Sequence, residues 1–382
     1  MGADRAQLLI AQQCADLPAA RRIVQCGRVV RSSTGVVLMR STDGYVYGSG
    51  LVTCGSPWSC LACSYKIRAK RARHVAQAVA LHLAAGGGVL FGTFTISHDR
   101  GEQLAGLWRL LSAGWAYMTS GRQWVGFQAD HGVVGLVKTV EVTHGRNGWH
   151  PHIHVLFFID APMNDFDRED QYREFRSHLR KRWITWFRAK HERNISREFG
   201  IVFDAVKPDE SDQVGIYCTK VGYELAMADA KIGRREGQRH PFAIAHDAAQ
   251  WGDKADVMLL REWITASKRK RSIQWTGAQV KAYVAADADK TDQELAEESQ
   301  VGDEALLIVH RDVWRQLISR PDGAKARFLR LFEDGGNAFD VLYFLAELGI
   351  PAELADTGES LAELRPDRTT NPPATHLQEE TQ

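Results

Sequence analysis

Apolar and polar residues alternate with two different periods along this chain, and the switches between them mark its elements. Residues 1–20 are polar and mixed and predict a mobile leader or a short helix. Arg22 to Leu51 alternates in short runs (RIVQCGRVV, GVVLM, GYVYGSGLV) separated by Gly, Ser and Asp, which predicts a small β-meander. From Tyr65 to Ala85, Ile67, His74, Val75, Val79 and Leu83 recur at helical spacing. GVLFGTFTIS (88–97) reads as a strand and Leu104–Met118 as an amphipathic helix. GVVGLVKTVEVT (132–143) and PHIHVLFFI (151–159) read as two further strands. Asp165–His191 reads as a long helix with Trp183, Trp186 and Phe187 on one side, GIVFDAV (200–206) as a strand and Asp212–Ala228 as a helix. After Arg239 the pattern is helical to about Leu348, and from Asp356 the polar, Pro-containing end predicts disorder.

The central order is therefore β-α-β-β-α-β and one more helix. That is the order of a ferredoxin-like, split βαβ fold with a central antiparallel sheet, so the predicted class is α+β. With 382 residues, 44% of them apolar and 25% charged, the chain has room for two or three globular domains and is not mainly disordered. No apolar run reaches the ~18–20 residues of a membrane span, and the opening lacks a basic-then-apolar signal. The formal charge of +1 is a sum of opposed parts. Up to Arg271 there are 38 Lys and Arg against 26 Asp and Glu; beyond it there are 10 against 21. Such asymmetry marks domains, and the basic part is the one suited to a polyanion.

Five of the 14 histidines fall within 131–154, and Trp149-His150-Pro151-His152-Ile153-His154 is the densest group. On a strand, His152 and His154 share one face and form a ready chelate. Asn147-Gly148 is a favoured type I′ hairpin turn. If it is the turn, Glu141 faces His154 and Thr143 faces His152. Glu141, His152 and His154 then form a mixed N/O set suited to Mg²⁺, Mn²⁺ or a similar catalytic ion. His144 and His150 are weaker candidates.

Tyr217 and Lys220 are i and i+3 on the predicted helix after the last strand, with Glu224 at i+7 on the same side. A phenol needs a metal or a cation to become a nucleophile; Lys220 suits activation or phosphate holding, and Glu224 proton transfer. Cys54, Cys60 and Cys63 put three thiols in ten residues, and a fourth from Cys26, or His74 in its place, would close a structural zinc site. Cys14 and Cys218 read as free thiols. The helix after the cysteines carries Lys66, Arg68, Lys70, Arg71 and Arg73, and Lys268, Arg269, Lys270 and Arg271 form a second basic run. Both are candidate DNA-phosphate contacts.

Taken together, His152-Ile153-His154 on a strand and Tyr217-x-x-Lys220 on a later helix resemble the HUH endonuclease pattern. EVTHGRNGWHPHIHVLFF (141–158), LFGTFTISH (90–98), CGSPWSCLAC (54–63), RHPFAIA (239–245) and SIQW (272–275) are similar to segments of the replication initiator (Rep) proteins of rolling-circle plasmids, above all actinobacterial ones. The resemblance covers roughly 22–285. It implies a bacterial cytoplasmic enzyme that nicks one strand at a plasmid double-strand origin. Tyr217 would form a 5′-phosphotyrosine link and leave a 3′-OH primer, and strands would later be rejoined. It implies His152 and His154 as metal ligands and supports all four cysteines on Zn²⁺. Origin DNA, single-stranded at the nick, a host helicase and a polymerase are the implied partners. Gln213 stands where some relatives carry a glutamate for termination. The expected division is a leader (1–21), a zinc-binding β module with its basic helix (22–86), an HUH endonuclease domain (87–250), a helical accessory region (251–355) and a disordered tail (356–382). A single-tyrosine transposase, a relaxase, a metal hydrolase of small substrates and a non-catalytic zinc-dependent DNA-binding regulator are the competing readings. A relaxase usually carries its tyrosine ahead of the histidines, which is not the order here.

Overall fold

The computed structural model describes residues 9–10, 12–33, 35–41, 44–161, 168–196, 200–206, 237–284, 289–298, 303–320, 322–336 and 338–351. Eight strands are labelled in chain order: β1 (Val36–Arg40), β2 (Val46–Ser49), β3 (Gly88–Thr95), β4 (Val133–Gly145), β5 (Gly148–Ile159), β6 (Ile201–Ala205), β7 (Ile273–Thr276) and β8 (Glu304–Val309). The chain divides into two compact units, Met1–Cys26 with Thr53–Glu298, and Gly27–Val52 with Ser299–Gln382. This grouping cuts across the segments 22–86 and 251–355 expected from sequence.

The first unit is built on a five-stranded sheet of order β6-β3-β5-β4-β7 in which every neighbouring pair is antiparallel. β5 is central because its PHIHVLFFI run is aromatic and β-branched enough to be buried on both faces. Pro151 is tolerated there because pairing with β3 begins only at His152, so no β3 bond is lost. One face packs against the helices Leu104–Met118 and Arg168–His191. Phe94, Leu107, Leu111, Ile153, Val155, Phe157, Trp183 and Phe187 join a single core there. Trp183 stands edge-on to Phe94 at 5.4 Å and donates its indole N–H to the Thr95 carbonyl at 2.9 Å. Gly114 lets Phe187 approach, since a Cβ at 114 would lie 2.7 Å from that ring. Against the opposite face lies the helix Leu61–Ala84, through Val75, Ala78 and Val79 on Val89, Phe91, Val137, Leu156 and Phe158.

The second unit pairs β2-β1-β8, again antiparallel, with the helices Arg311–Ser319, Ala324–Glu333 and Ala338–Glu347. Its own core gathers Val36, Leu38, Val309, Trp314, Leu317, Phe328 and Phe332.

Four expectations change. The segment Arg21–Gln25 is helical rather than the first strand of a meander, and the strands β1 and β2 follow it. The region after Arg239 is not all helix: IQWT and EALLIV are the strands β7 and β8. Each is too short to show a period, and β8 pairs with β1 across most of the chain. The described part of the leader is packed, with Ile10, Cys14, Ala20 and Ile23 in the first core and Asp16 paired with Arg261 at 2.6 Å. The hairpin turn falls on Arg146-Asn147, one residue earlier than expected. Neither residue has the positive φ that a type I′ turn requires; Gly148 has it, at 87°. The expected helix Asp212–Ala228 and the tail from Asp356 lie outside the described residues.

Candidate metal centres

The shifted turn resets the register of β4 on β5 by two residues. Glu141 now faces His152, and Thr139 faces His154, in place of the pairs Glu141–His154 and Thr143–His152. A two-residue slip preserves the face, so the three expected ligands still converge. His152 Nε2 lies 2.9 Å and His154 Nε2 2.8 Å from the same Glu141 oxygen. Cation–ligand bonds of about 2.0–2.1 Å place adjacent ligands of an octahedral ion roughly 3 Å apart, so the triangle fits a small divalent cation. His154 is the deeper imidazole, 4% exposed, whereas the Glu141 and His152 side chains are 14% and 12% exposed and leave the ion an approach. Burial alone would raise the Glu141 carboxyl, yet hydrogen bonds from His152 and His154 hold it well below the usual carboxylate range.

The surrounding shell was less visible in sequence. His154 Nδ1 is 3.1 Å from Thr93 Oγ1, and its ring stacks on Phe91 at 5.2 Å. Those partners follow from β3–β5 pairing, where Thr93 faces His154. His150 and His98 continue the row of imidazoles outward, with ring centroids 5.3 Å from His152 to His150 and 5.0 Å from His150 to His98. His240 follows at the N-cap of the helix Pro241–Trp251, where its Nδ1 accepts the Phe242 N–H at 3.2 Å. Burial pushes His240 down to about 3; the Arg68 cation adds to that shift and Glu141 opposes it.

The second centre is made by Cys26, Cys54, Cys60 and Cys63, all buried. Sulfur separations are 3.4 Å for Cys26–Cys63, 3.5 Å for Cys26–Cys60 and 3.8 Å for Cys54–Cys63. These are far beyond a disulfide bond and close to the roughly 3.8 Å edge of a tetrahedron with 2.3 Å metal–sulfur bonds. Cys26 ends its short helix, Cys60 caps the helix Leu61–Ala84, and Cys63 sits in that helix's first turn. The Cys54 N–H points at Cys26 Sγ (3.3 Å) and the Ser56 N–H at Cys54 Sγ (3.4 Å), the backbone donors a thiolate cluster needs. Hydrogen bonds from the Cys26, Cys54 and Cys60 sulfurs favour the Cys63 thiolate. Cys54 and Cys60 are pushed up, first by Cys26. His74 is not among the grouped ligands. Cys14 is buried and free, its thiol raised by burial.

Of the candidate phosphate contacts on the basic helix, Arg68, Lys70 and Arg71 are buried. Lys70 donates to the Leu295 carbonyl at 3.1 Å and pairs with Glu298 at 3.0 Å. Arg71 lies 3.6 Å from Asp292. Arg68 donates through Nε to the Pro57 carbonyl and to Ser64 Oγ, and lies over Trp58 at 5.1 Å. Arg73 is exposed and Lys66 half-buried. In the second run Lys268, Arg269 and Arg271 are exposed, while Lys270 is half-buried, 5.7 Å from the Trp108 ring. The remaining candidates, Tyr217, Lys220 and Glu224, with Gln213 and Cys218, lie outside the described residues. The segment that follows them is anchored: Arg239 exchanges backbone hydrogen bonds with His144 at 2.8 Å and grips Asp256 and Asp247.

No described helix is long and apolar enough to cross a membrane. No protein-family model and no solved structure matches the chain. The chain is similar to "Protein rep" of Streptomyces lividans, 25% identical over 303 residues that cover 64% of this chain and 66%, just under two thirds, of that relative.

Proposed function

We propose that the chain is a replication initiator of the HUH endonuclease type, which nicks one DNA strand at a plasmid origin and primes rolling-circle replication. The observation that carries this is the convergence of His152, His154 and Glu141 on one face of the central strand. Similarity to a protein named Rep supports the same reading. The order β6-β3-β5-β4 is the one a ferredoxin-like split βαβ arrangement gives, which favours the HUH fold.

In this reading Mg²⁺ or Mn²⁺ sits on Glu141, His152 and His154, and Zn²⁺ on the four cysteines. When bound, the catalytic ion polarises the scissile phosphate and stabilises the leaving oxygen. Tyr217 supplies the nucleophile. Its phenolic oxygen forms a new bond to phosphorus as the P–O3′ bond breaks, giving a 5′-phosphotyrosine and a free 3′-OH. Glu224 takes the phenol proton, the departing 3′ oxygen takes its proton from water, and Lys220 holds the charge that develops. Glu141, kept ionised by its two imidazoles, accepts and orients rather than donates. Rejoining is the reverse transfer, for which the phosphotyrosine conserves the bond energy. The partners are origin DNA, single-stranded at the nick, and a host helicase and polymerase in the bacterial cytoplasm.

The test is incubation with Mn²⁺ or Mg²⁺ and single strands of the cognate origin, followed by denaturing gels. Wild type should give a DNA–protein adduct, and Tyr217→Phe none. An adduct that persists in Tyr217→Phe removes Tyr217 as nucleophile. A wild type that binds but never nicks favours a DNA-binding regulator.

A further inference from the structure

The helix Leu61–Ala84 runs along the same sheet face that carries the imidazoles. At one end His82 Nε2 meets the Ile159 carbonyl at 2.8 Å; further along, Val75 and Val79 meet Leu156 and Phe158. From His82 back to Arg68 the helix covers ~21 Å. From Ile159 back to His152 β5 covers ~23 Å. These matching spans bring Arg68 to the level of His152 along the sheet. Burial lowers the guanidinium to about 9, opposed by the charges of Glu141 and Asp292, so it stays a cation at neutral pH.

Arg68 is 6% exposed, and its Nη2 has no hydrogen-bond partner among the described residues. On the sheet below, Thr139 faces His154 and Thr143 faces His150, on the face of Glu141. Their hydroxyls and His152 Nδ1 are also buried without hydrogen-bond partners among the described residues. Buried polar atoms are ordinarily satisfied, so several orphans gathered beside one carboxylate–imidazole triangle point to a missing polar ligand. A fixed, planar guanidinium suits a tetrahedral oxyanion, and threonine hydroxyls complete its coordination.

We propose that Arg68 is a catalytic residue of this centre: its Nη2 binds a non-bridging oxygen of the scissile phosphodiester, opposite the cation held by Glu141, His152 and His154. The proposal deepens the nicking function and rests on that reading. Nε stays fixed on the Pro57 carbonyl and Ser64, and the stack on Trp58 holds the plane, so the donor is oriented before DNA arrives. Arg68 forms no covalent bond. It neutralises charge that grows on the phosphoryl oxygens as Tyr217 attacks.

The experiment uses the full-length, zinc-loaded protein. Inorganic phosphate is titrated in Mg²⁺ and read by tryptophan fluorescence, for wild type, Arg68→Gln and Arg68→Lys. Adduct formation on an origin strand is followed separately. Arg68→Gln should weaken phosphate binding at least tenfold and slow the adduct at least a hundredfold, with zinc content and Mn²⁺ affinity unchanged. Arg68→Lys, which keeps the charge without the fork, should fall between, and it decides the matter if Arg68→Gln does not fold. Phosphate binding that is absent in wild type, or undiminished in both folded variants, overturns the proposal. Phosphate binding lost in Arg68→Gln while wild type forms no adduct leaves the anion site standing and sinks the nicking reading instead.

Discussion

His154 is held at both ring nitrogens, by Thr93 Oγ1 at 3.1 Å and Glu141 at 2.8 Å, with Phe91 against its face. Removing the first of these should leave the ligand in place but let it turn. Thr93→Val is expected to weaken Mn²⁺ binding about tenfold, measured by calorimetry, without unfolding the protein. A second residue makes a test of pH. Burial pushes Lys138 down to about 8, and its ammonium lies 5.8 Å from the Trp115 ring. The folded state thus binds fewer protons than the unfolded one between pH ~8 and ~10.5, and stability rises with pH across that window. Lys138→Met should stabilise by about 1–2 kcal/mol at pH 7, and the gain should vanish above pH ~10.5 in denaturant melts. The Glu141–His152–His154 group was readable because face depends only on parity along a strand. Thr93 was not, because its place depends on how β3 registers on β5.

The helix Leu61–Ala84 shows where reading elements from sequence stops. Its apolar spacing was legible, but the direction of its cations was not, because a run of Arg and Lys carries no mark of burial. Their partners lie more than 200 residues away: Glu298 for Lys70 and Asp292 for Arg71. The same holds for β7 and β8, whose short runs gain meaning only from the strands they join. The long, strongly periodic elements survived: the helix Leu104–Met118 is at its expected limits and β5 within three residues of them. The helix Leu61–Ala84 begins on two of the four grouped cysteines, so the ligand set and the element are coupled. Chelation should remove one zinc per chain and lower the melting temperature on the order of 10 °C, with amide protection lost first in residues 61–71 by hydrogen exchange. A Cys60→Ser protein that retains a full zinc would contradict that site.

At the scale of the molecule, the opposed charges of the sequence do not coincide with the two units. The acidic stretch 289–298 belongs to the first unit and supplies counter-ions for its buried cations. The first unit's segments hold 37 basic against 31 acidic residues and the second's 11 against 16, so the contrast is milder than a cut at Arg271 suggests. The chain leaves the first unit after Cys26 and re-enters it at Thr53. The crossing points are close, since the Gly27 N–H donates to the Val52 carbonyl at 2.9 Å, and Cys26 and Cys54 then meet in one thiolate group. The hairpin is therefore a detour with its entrance and exit pinned side by side. A shortened chain that joins Cys26 to Thr53 through two glycines and stops at Glu298 should fold, bind one zinc and keep metal-dependent adduct formation within about tenfold of wild type. An aggregated or zinc-free product would show that the detour is indispensable. Since its root is closed by the four-cysteine group and the Gly27–Val52 hydrogen bond, that position is a natural splice port: other sequences of similar end-to-end span could be grafted there without disturbing the strand that carries the imidazoles.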